Sequence, residues 1–153
     1  MGTKGRMQWS RLKKMLESHF CAALAGRVQI HTARYTNDEE VGRTWIVFDK
    51  QQIFSVGDNP SPSRPTWYLE QGCVFFNSSW GRSHLEMFLL PYLDLSIEEA
   101  LNSPSEFTKA LAMFDKRVGK RRLRVLAEQV ENEPLVVRHF YAIRCQAEQL
   151  QSP

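Results

Sequence analysis

The sequence predicts an α+β fold: an N-terminal helix on a small, mainly antiparallel sheet, followed by a helical C-terminal half. Three observations carry this. Apolar residues recur at helical spacing up to Leu24, at a period of two from Val28 onward, and at helical spacing again after Ser79. Two Ser-x-x-Glu capping signals and a proline helix start punctuate the last part. A chain of 153 residues is the size of one domain that buries its own core without disulfides or metal. Residues 8–77 are read as helix plus sheet, 80–150 as the helical half, and 57–65 as a Pro-rich loop between strands.

Each element has its own signal. Leu12, Met15, Leu16, Phe20, Ala23 and Leu24 form one helical stripe, with Ser10 as its expected cap and Gly26 as its stop. His19 falls within that stripe and is read as a core-edge histidine. Val28, Ile30 and Thr32 alternate with Gln29, His31 and Ala33 as a strand reaching toward Tyr35. Asn37 to Gly42 reads as a solvated acidic turn. Thr44–Phe48 and Ile53–Val56 are two further strands, rich in β-branched and aromatic residues. Pro60, Pro62 and Pro65 exclude helix and central strand. Thr66–Leu69 and Val74–Phe76, around Gln71-Gly72, extend the sheet to four or five strands.

The helical half follows. Leu85, Phe88, Leu89 and Tyr92 line a helix cut short near Pro91. Ser96 with Glu99 forms a capping box, and Ser103-Pro104-Ser105-Glu106 repeats the device with proline at the first helical position. The next stripe is Phe107, Ala110, Leu111, Phe114 and Val118. After Gly119 it becomes Leu123, Leu126, Ala127 and Val130. Glu133-Pro134 opens the last helix, with Val136, Phe140, Ile143, Ala147 and Leu150 on one side.

Composition excludes several classes. No apolar run approaches the ~20 residues that span a bilayer, and the N-terminus has no signal-peptide core. Cys21, Cys73 and Cys145 are odd in number and far apart, which argues against a disulfide framework and for a reducing, cytoplasmic setting. No phosphate loop, nucleophile elbow or zinc-binding helix occurs, and His19, His31, His84 and His139 show no ligand spacing. No catalytic, cofactor-binding or metal residue is therefore assigned and no cofactor is expected. A site assembled only in the tertiary structure, for instance from His31, Asp49 and Glu86, is the enzyme alternative. The net charge is +3, but it is polarised. Residues 1–27 carry six Lys/Arg and one acid, 28–110 six and eleven, and 111–153 eight and five.

The most polarised stretch runs from Asp115 to Arg124 and packs six cations against one acid. The apolar stripes before and after Gly119 differ by roughly 120–140° at about 100° per residue. One straight helix would have to bury two sides, so a break or sharp bend at Gly119 is expected, and Gly119→Val should cost stability if the corner needs a left-handed backbone there. Lys116, Arg117, Lys120, Arg121 and Arg124 crowd the surface around it, with Arg122 set apart. These residues have three readings: a solvated face paired with the acidic middle of the chain, an anionic protein or peptide site, or a nucleic-acid contact through 116–124. The last is less favoured, because the arginines come without a helix-turn-helix frame or aromatic stacking platform. The reading adopted is a non-enzymatic protein-binding or regulatory role with no membrane association. On the last helix, Val137, Tyr141 and Cys145 form a second seam, either core-facing or a homodimer surface.

Four blocks carry a family resemblance: Trp9-Ser10-Arg11-Leu12-Lys13-Lys14, Gly42-Arg43-Thr44-Trp45-Ile46-Val47-Phe48-Asp49, Arg117-Val118-Gly119-Lys120-Arg121-Arg122-Leu123 and Phe140-Tyr141-Ala142-Ile143-Arg144-Cys145. Together they resemble the signature blocks of a family of small uncharacterised bacterial proteins. The likeness spans nearly the whole chain after Met7, and the Arg-Val-Gly-Lys-Arg block is its most specific part. It implies a bacterial, cytosolic protein and brings no activity, cofactor or catalytic residue. Met1 to Arg6 lie outside it.

Overall fold

A computed structural model describes residues 8–34, 42–56, 61–77 and 89–150. Its elements are helix α1 (Trp9–Glu17), strands β1 (Val28–Arg34), β2 (Gly42–Phe48), β3 (Gln51–Val56), β4 (Trp67–Glu70) and β5 (Cys73–Phe76), then helices α2 (Ile97–Leu101), α3 (Glu106–Phe114), α4 (Lys120–Val130) and α5 (Leu135–Ala147). This is the expected α+β architecture. The strand order is β1-β2-β3-β5-β4, antiparallel except where β3 runs parallel to β5. The sheet's inner face, through Phe54, packs on Phe107 of α3 and Phe140 of α5 at centroid distances of 5.0 and 6.1 Å. One buried cluster joins α1, the strands and the later helices.

Two tight turns set the strand register. Asp49-Lys50 between β2 and β3, and Gln71-Gly72 between β4 and β5, both have positive φ throughout. That is the mirror-image turn whose twist matches antiparallel strands. The Asp49 carboxylate is gripped by Arg27 through Nε and Nη2, at 2.9 and 2.8 Å. This pairing lowers the Asp49 pKa.

Several local expectations are corrected. α1 begins at Trp9, after Gln8, without a side-chain cap, so Ser10 lies inside it. It ends at Glu17 rather than near Gly26, because the main chain beyond is drawn off toward the end of α3. Cys21 N–H donates to the Phe114 oxygen (2.9 Å), Lys116 N–H donates to the His19 oxygen (2.7 Å), and Phe20 bridges Asp115. The capping box at Ser96 and Glu99 is complete, with bonds of 2.8 and 3.1 Å. α3, in contrast, is capped by Ser105 rather than Ser103, since the Ser105 hydroxyl accepts from Thr108 N–H. The acidic turn Asn37–Glu40, His84, and Leu85 to Phe88 lie outside the described residues.

The second seam of the last helix faces inward. Val137, Tyr141 and Cys145 are all buried, and the Tyr141 hydroxyl donates to the Leu123 oxygen of α4 at 2.8 Å. That removes this seam as a homodimer surface. No helix among the described residues is long and apolar enough to cross a membrane.

Candidate functional site

The basic stretch divides into residues that build a corner and residues that leave it. α3 stops at Phe114 and α4 starts at Lys120, so the two apolar stripes belong to separate helices, as their angular offset requires. At the corner Asp115 is 1% exposed. Its carboxylate accepts from Arg117 N–H (2.9 Å), Arg117 Nε (3.0 Å), Arg117 Nη2 (2.8 Å) and the Tyr92 hydroxyl (2.7 Å). Burial alone would raise its pKa; the Arg117 and Tyr92 hydrogen bonds outweigh that and hold it below the usual carboxylate value. Burial first, and the Asp115 charge second, push Tyr92 well above its ordinary value. Arg117 is further tied to the Leu95 oxygen at 2.9 Å.

A second arginine closes the corner from α5. Arg144 is only 2% exposed. It donates to the main-chain oxygens of Met113 (2.9 Å), Asp115 (3.1 Å) and Val118, and through Nε to Glu148 (3.0 Å). The fixed fork of a guanidinium suits three diverging carbonyls around a helix end, of which Asp115 O also accepts from Val118 N–H at 3.0 Å.

Gly119 plays a different part from the one expected. Its φ of −85° and ψ of 176° are extended, not left-handed, and an added Cβ would meet nothing within 4 Å. The corner is held by side-chain hydrogen bonds instead.

Of the five residues singled out, Arg117 is therefore structural. Lys116, Lys120, Arg121 and Arg124 are exposed and have no side-chain partner among the described residues. Arg122 is separate, as expected: it forms a two-pronged pair with Glu98 of α2. The four free cations surround the start of α4, whose first turn has no acidic residue and whose Gly119 cap offers no side-chain bond. Between Arg121 and Arg124 on one side and Glu128 on the other stands Val125, 55% exposed.

Sequence reasoning missed a second surface. The register aligns His31, Trp45, Ser55, Phe75 and Tyr68 in one row across all five strands, on the face turned away from α3 and α5. His31 stacks on Trp45 (5.5 Å) and Tyr68 on Phe75 (5.0 Å), with Arg43 over Trp45 (4.6 Å) and Arg64 over Tyr68 (4.9 Å). Trp45, Tyr68 and Phe75 were visible in their strands, but their alignment with His31 and Ser55 depends on register. The rings pair with one another, and their arginines come from β2 and the loop before β4, not from α4. Of the residues named for an assembled site, His31 stacks on Trp45, Asp49 pairs with Arg27, and Glu86 lies outside the described residues. No group of metal-ligating side chains occurs among the described residues.

A model of the SF0329 protein family matches residues 8–74 and 74–145. No curated protein and no solved structure matches the chain.

Proposed function

The chain belongs to the SF0329 protein family, and we propose that it acts by binding rather than catalysis, docking an acidic, partly apolar segment of another protein on the outer face of α4. The observation that carries this is the unneutralised first turn of α4. Lys120, Arg121 and Arg122 stand there with no acid, and only Arg122 has a carboxylate partner. The positive end of a helix disfavours each such cation by about 0.3–1 kcal/mol at low salt. The fold would be better served by acids, so the cations point to an anion supplied from outside. Val125 and Glu128 favour a protein over nucleic acid: an exposed valine rewards an apolar contact, and a carboxylate one turn on repels a phosphate backbone. A bacterial cytoplasmic setting belongs to the same reading, supported by the motif resemblance and by three buried free cysteines.

The test compares fluorescein-labelled peptides of alternating Glu and Leu, peptides of Glu and Ser, and a DNA duplex, titrated at several salt concentrations. The Glu-Leu peptide is expected to bind most tightly, with Lys120→Glu plus Arg121→Glu weakening it more than about tenfold. Val125→Ser should remove its advantage over the Glu-Ser peptide. Duplex DNA binding more tightly than either peptide, and insensitive to Val125→Ser, would replace this reading with nucleic-acid contact.

A further inference from the structure

We propose that the chain forms a two-fold homodimer by antiparallel pairing of β4 with β4 of a second copy, joining two sheets edge to edge. The two edges of the sheet are treated differently. At β1 the outward main chain is engaged in the first half of the strand: Val28 N–H donates to the Leu24 oxygen at 3.0 Å, Ile30 N–H to Glu17 at 2.9 Å, and Lys13 Nζ donates to the Ile30 oxygen at 2.6 Å. The Lys13–Glu17 pair thus lies across that edge and blocks strand addition.

Among the described residues β4 has no such cover. Asn77 N–H donates to the Thr66 oxygen, which makes the opposed residues Thr66 and Asn77 a hydrogen-bonded pair. By alternation Tyr68–Phe75 and Glu70–Cys73 are hydrogen-bonded pairs too, and the N–H and C=O groups of Trp67 and Leu69 point away from β5. Those groups have no partner among the described residues. Leu69 is also 50% exposed, and it and Val125 are the two large apolar side chains exposed among those residues.

The occupant that fits this edge is the edge itself. With the two-fold axis at Tyr68, Trp67 of one copy opposes Leu69 of the other, and both pairs exchange N–H and C=O, giving four hydrogen bonds. Leu69 then rests on its partner's Trp67, at the mouth of a groove of about 480 Å³ that Trp67 shares with Phe76, Pro104 and Phe107. Charge selects the same alignment. Arg64 stands before the strand and Glu70 ends it, already paired to each other. Antiparallel copies bring each Glu70 within diagonal reach of the other's Arg64, whereas parallel copies would set like charges side by side. With β1 covered at Val28 and Ile30, β4 is the open edge among the described residues, so association is expected to close at two rather than run into a filament. Two short strands bury little area, so the dimer is concentration-dependent.

The experiment is sedimentation velocity of the full chain from low micromolar to near-millimolar loading, together with Leu69→Pro. The Leu69 N–H takes no part in its own sheet, so proline leaves the internal ladder intact and removes the intermolecular donor. Expected are a monomer–dimer equilibrium in the wild type and monomer for Leu69→Pro with unchanged circular dichroism. As a measurement independent of that variant, Tyr68→Cys should cross-link to a covalent dimer under mild oxidation, while Val125→Cys should not. Monomer throughout the range without preferential Tyr68→Cys cross-linking would overturn the proposal, as would oligomers larger than two. The α4 surface shares no residue with this edge, so either reading can fail alone.

Discussion

Arg144 donates from Nη1 to the main-chain oxygen of Asp115 at 3.1 Å, while the carboxylate of the same Asp115 is held by Arg117. One residue at the corner thereby uses its backbone toward the last helix and its side chain toward the stretch just after it. The turn between α3 and α4 is set by these two guanidiniums, one from each side.

Removing either partner should therefore be costly. Arg144→Met takes the guanidinium away from the main-chain oxygens of Met113, Asp115 and Val118 and from Glu148, leaving Asp115 O with only its bond from Val118 N–H, and Asp115→Ala takes from Tyr92 its acceptor and leaves Arg117 with only the Leu95 oxygen. Each is expected to lower unfolding free energy by about 3 kcal/mol or more, read from urea melts at neutral pH. Arg144→Lys should recover only part, because one ammonium cannot reach three diverging carbonyls. A change within about 0.5 kcal/mol would mean the corner is held elsewhere.

Acid should act through the same carboxylate. The folded pKa of Asp115 lies below its ordinary value of 3.8, so its contribution is fully present above that value and is lost as pH falls through the folded one. Tyr92 has the opposite sign: raised above 10.0, it supports the fold below that pH, and the support fades as pH rises further. Stability curves against pH should show Asp115→Asn flattening the acid limb and Tyr92→Phe the alkaline limb. Acid sensitivity unchanged in Asp115→Asn would assign that limb to other carboxylates.

Gly119 provides a sharp contrast with steric reasoning. Its backbone is extended and its surroundings are open, so Gly119→Ser should fit and add the missing cap to α4, raising stability by about 0.3 kcal/mol. Loss of stability in this variant would revive a glycine requirement at the corner.

The strain sits elsewhere, at Lys50 with φ of 69° in the β2–β3 turn. A lysine there carries a left-handed penalty that glycine does not. Lys50→Gly is expected to raise the melting temperature by a few degrees, with the Arg27–Asp49 pair intact. A lowered melting temperature would show that the Lys50 side chain supports the turn.

Much of this was readable from periodicity and end signals. The change at Val28 marked the sheet, the Ser96–Glu99 box gave α2 its start, and the angular offset of Leu111 and Phe114 against Leu123 and Leu126 required a corner. What stayed hidden depended on long-range geometry. Nothing local marks Arg144 as buried, because its carbonyl partners lie some thirty positions away. Helical spacing carried the first stripe through Phe20 and Leu24, whereas hydrogen bonds to the corner end α1 at Glu17. The basic stretch was visible at once as a run of charge. Its division into Arg117, which folds the corner, and Lys116, Lys120, Arg121 and Arg124, which face outward, required knowing where the carboxylates are.

The central claim is that the free cations at the start of α4 serve a partner at the fold's expense. The most direct measurement pairs a urea melt with Glu-Leu peptide binding for Lys120→Glu plus Arg121→Glu. Unfolding free energy is expected to rise by about 1–2 kcal/mol as acids replace cations at the positive helix end, while peptide binding falls more than about tenfold. A variant that is less stable than the wild type yet binds the peptide as well would contradict it.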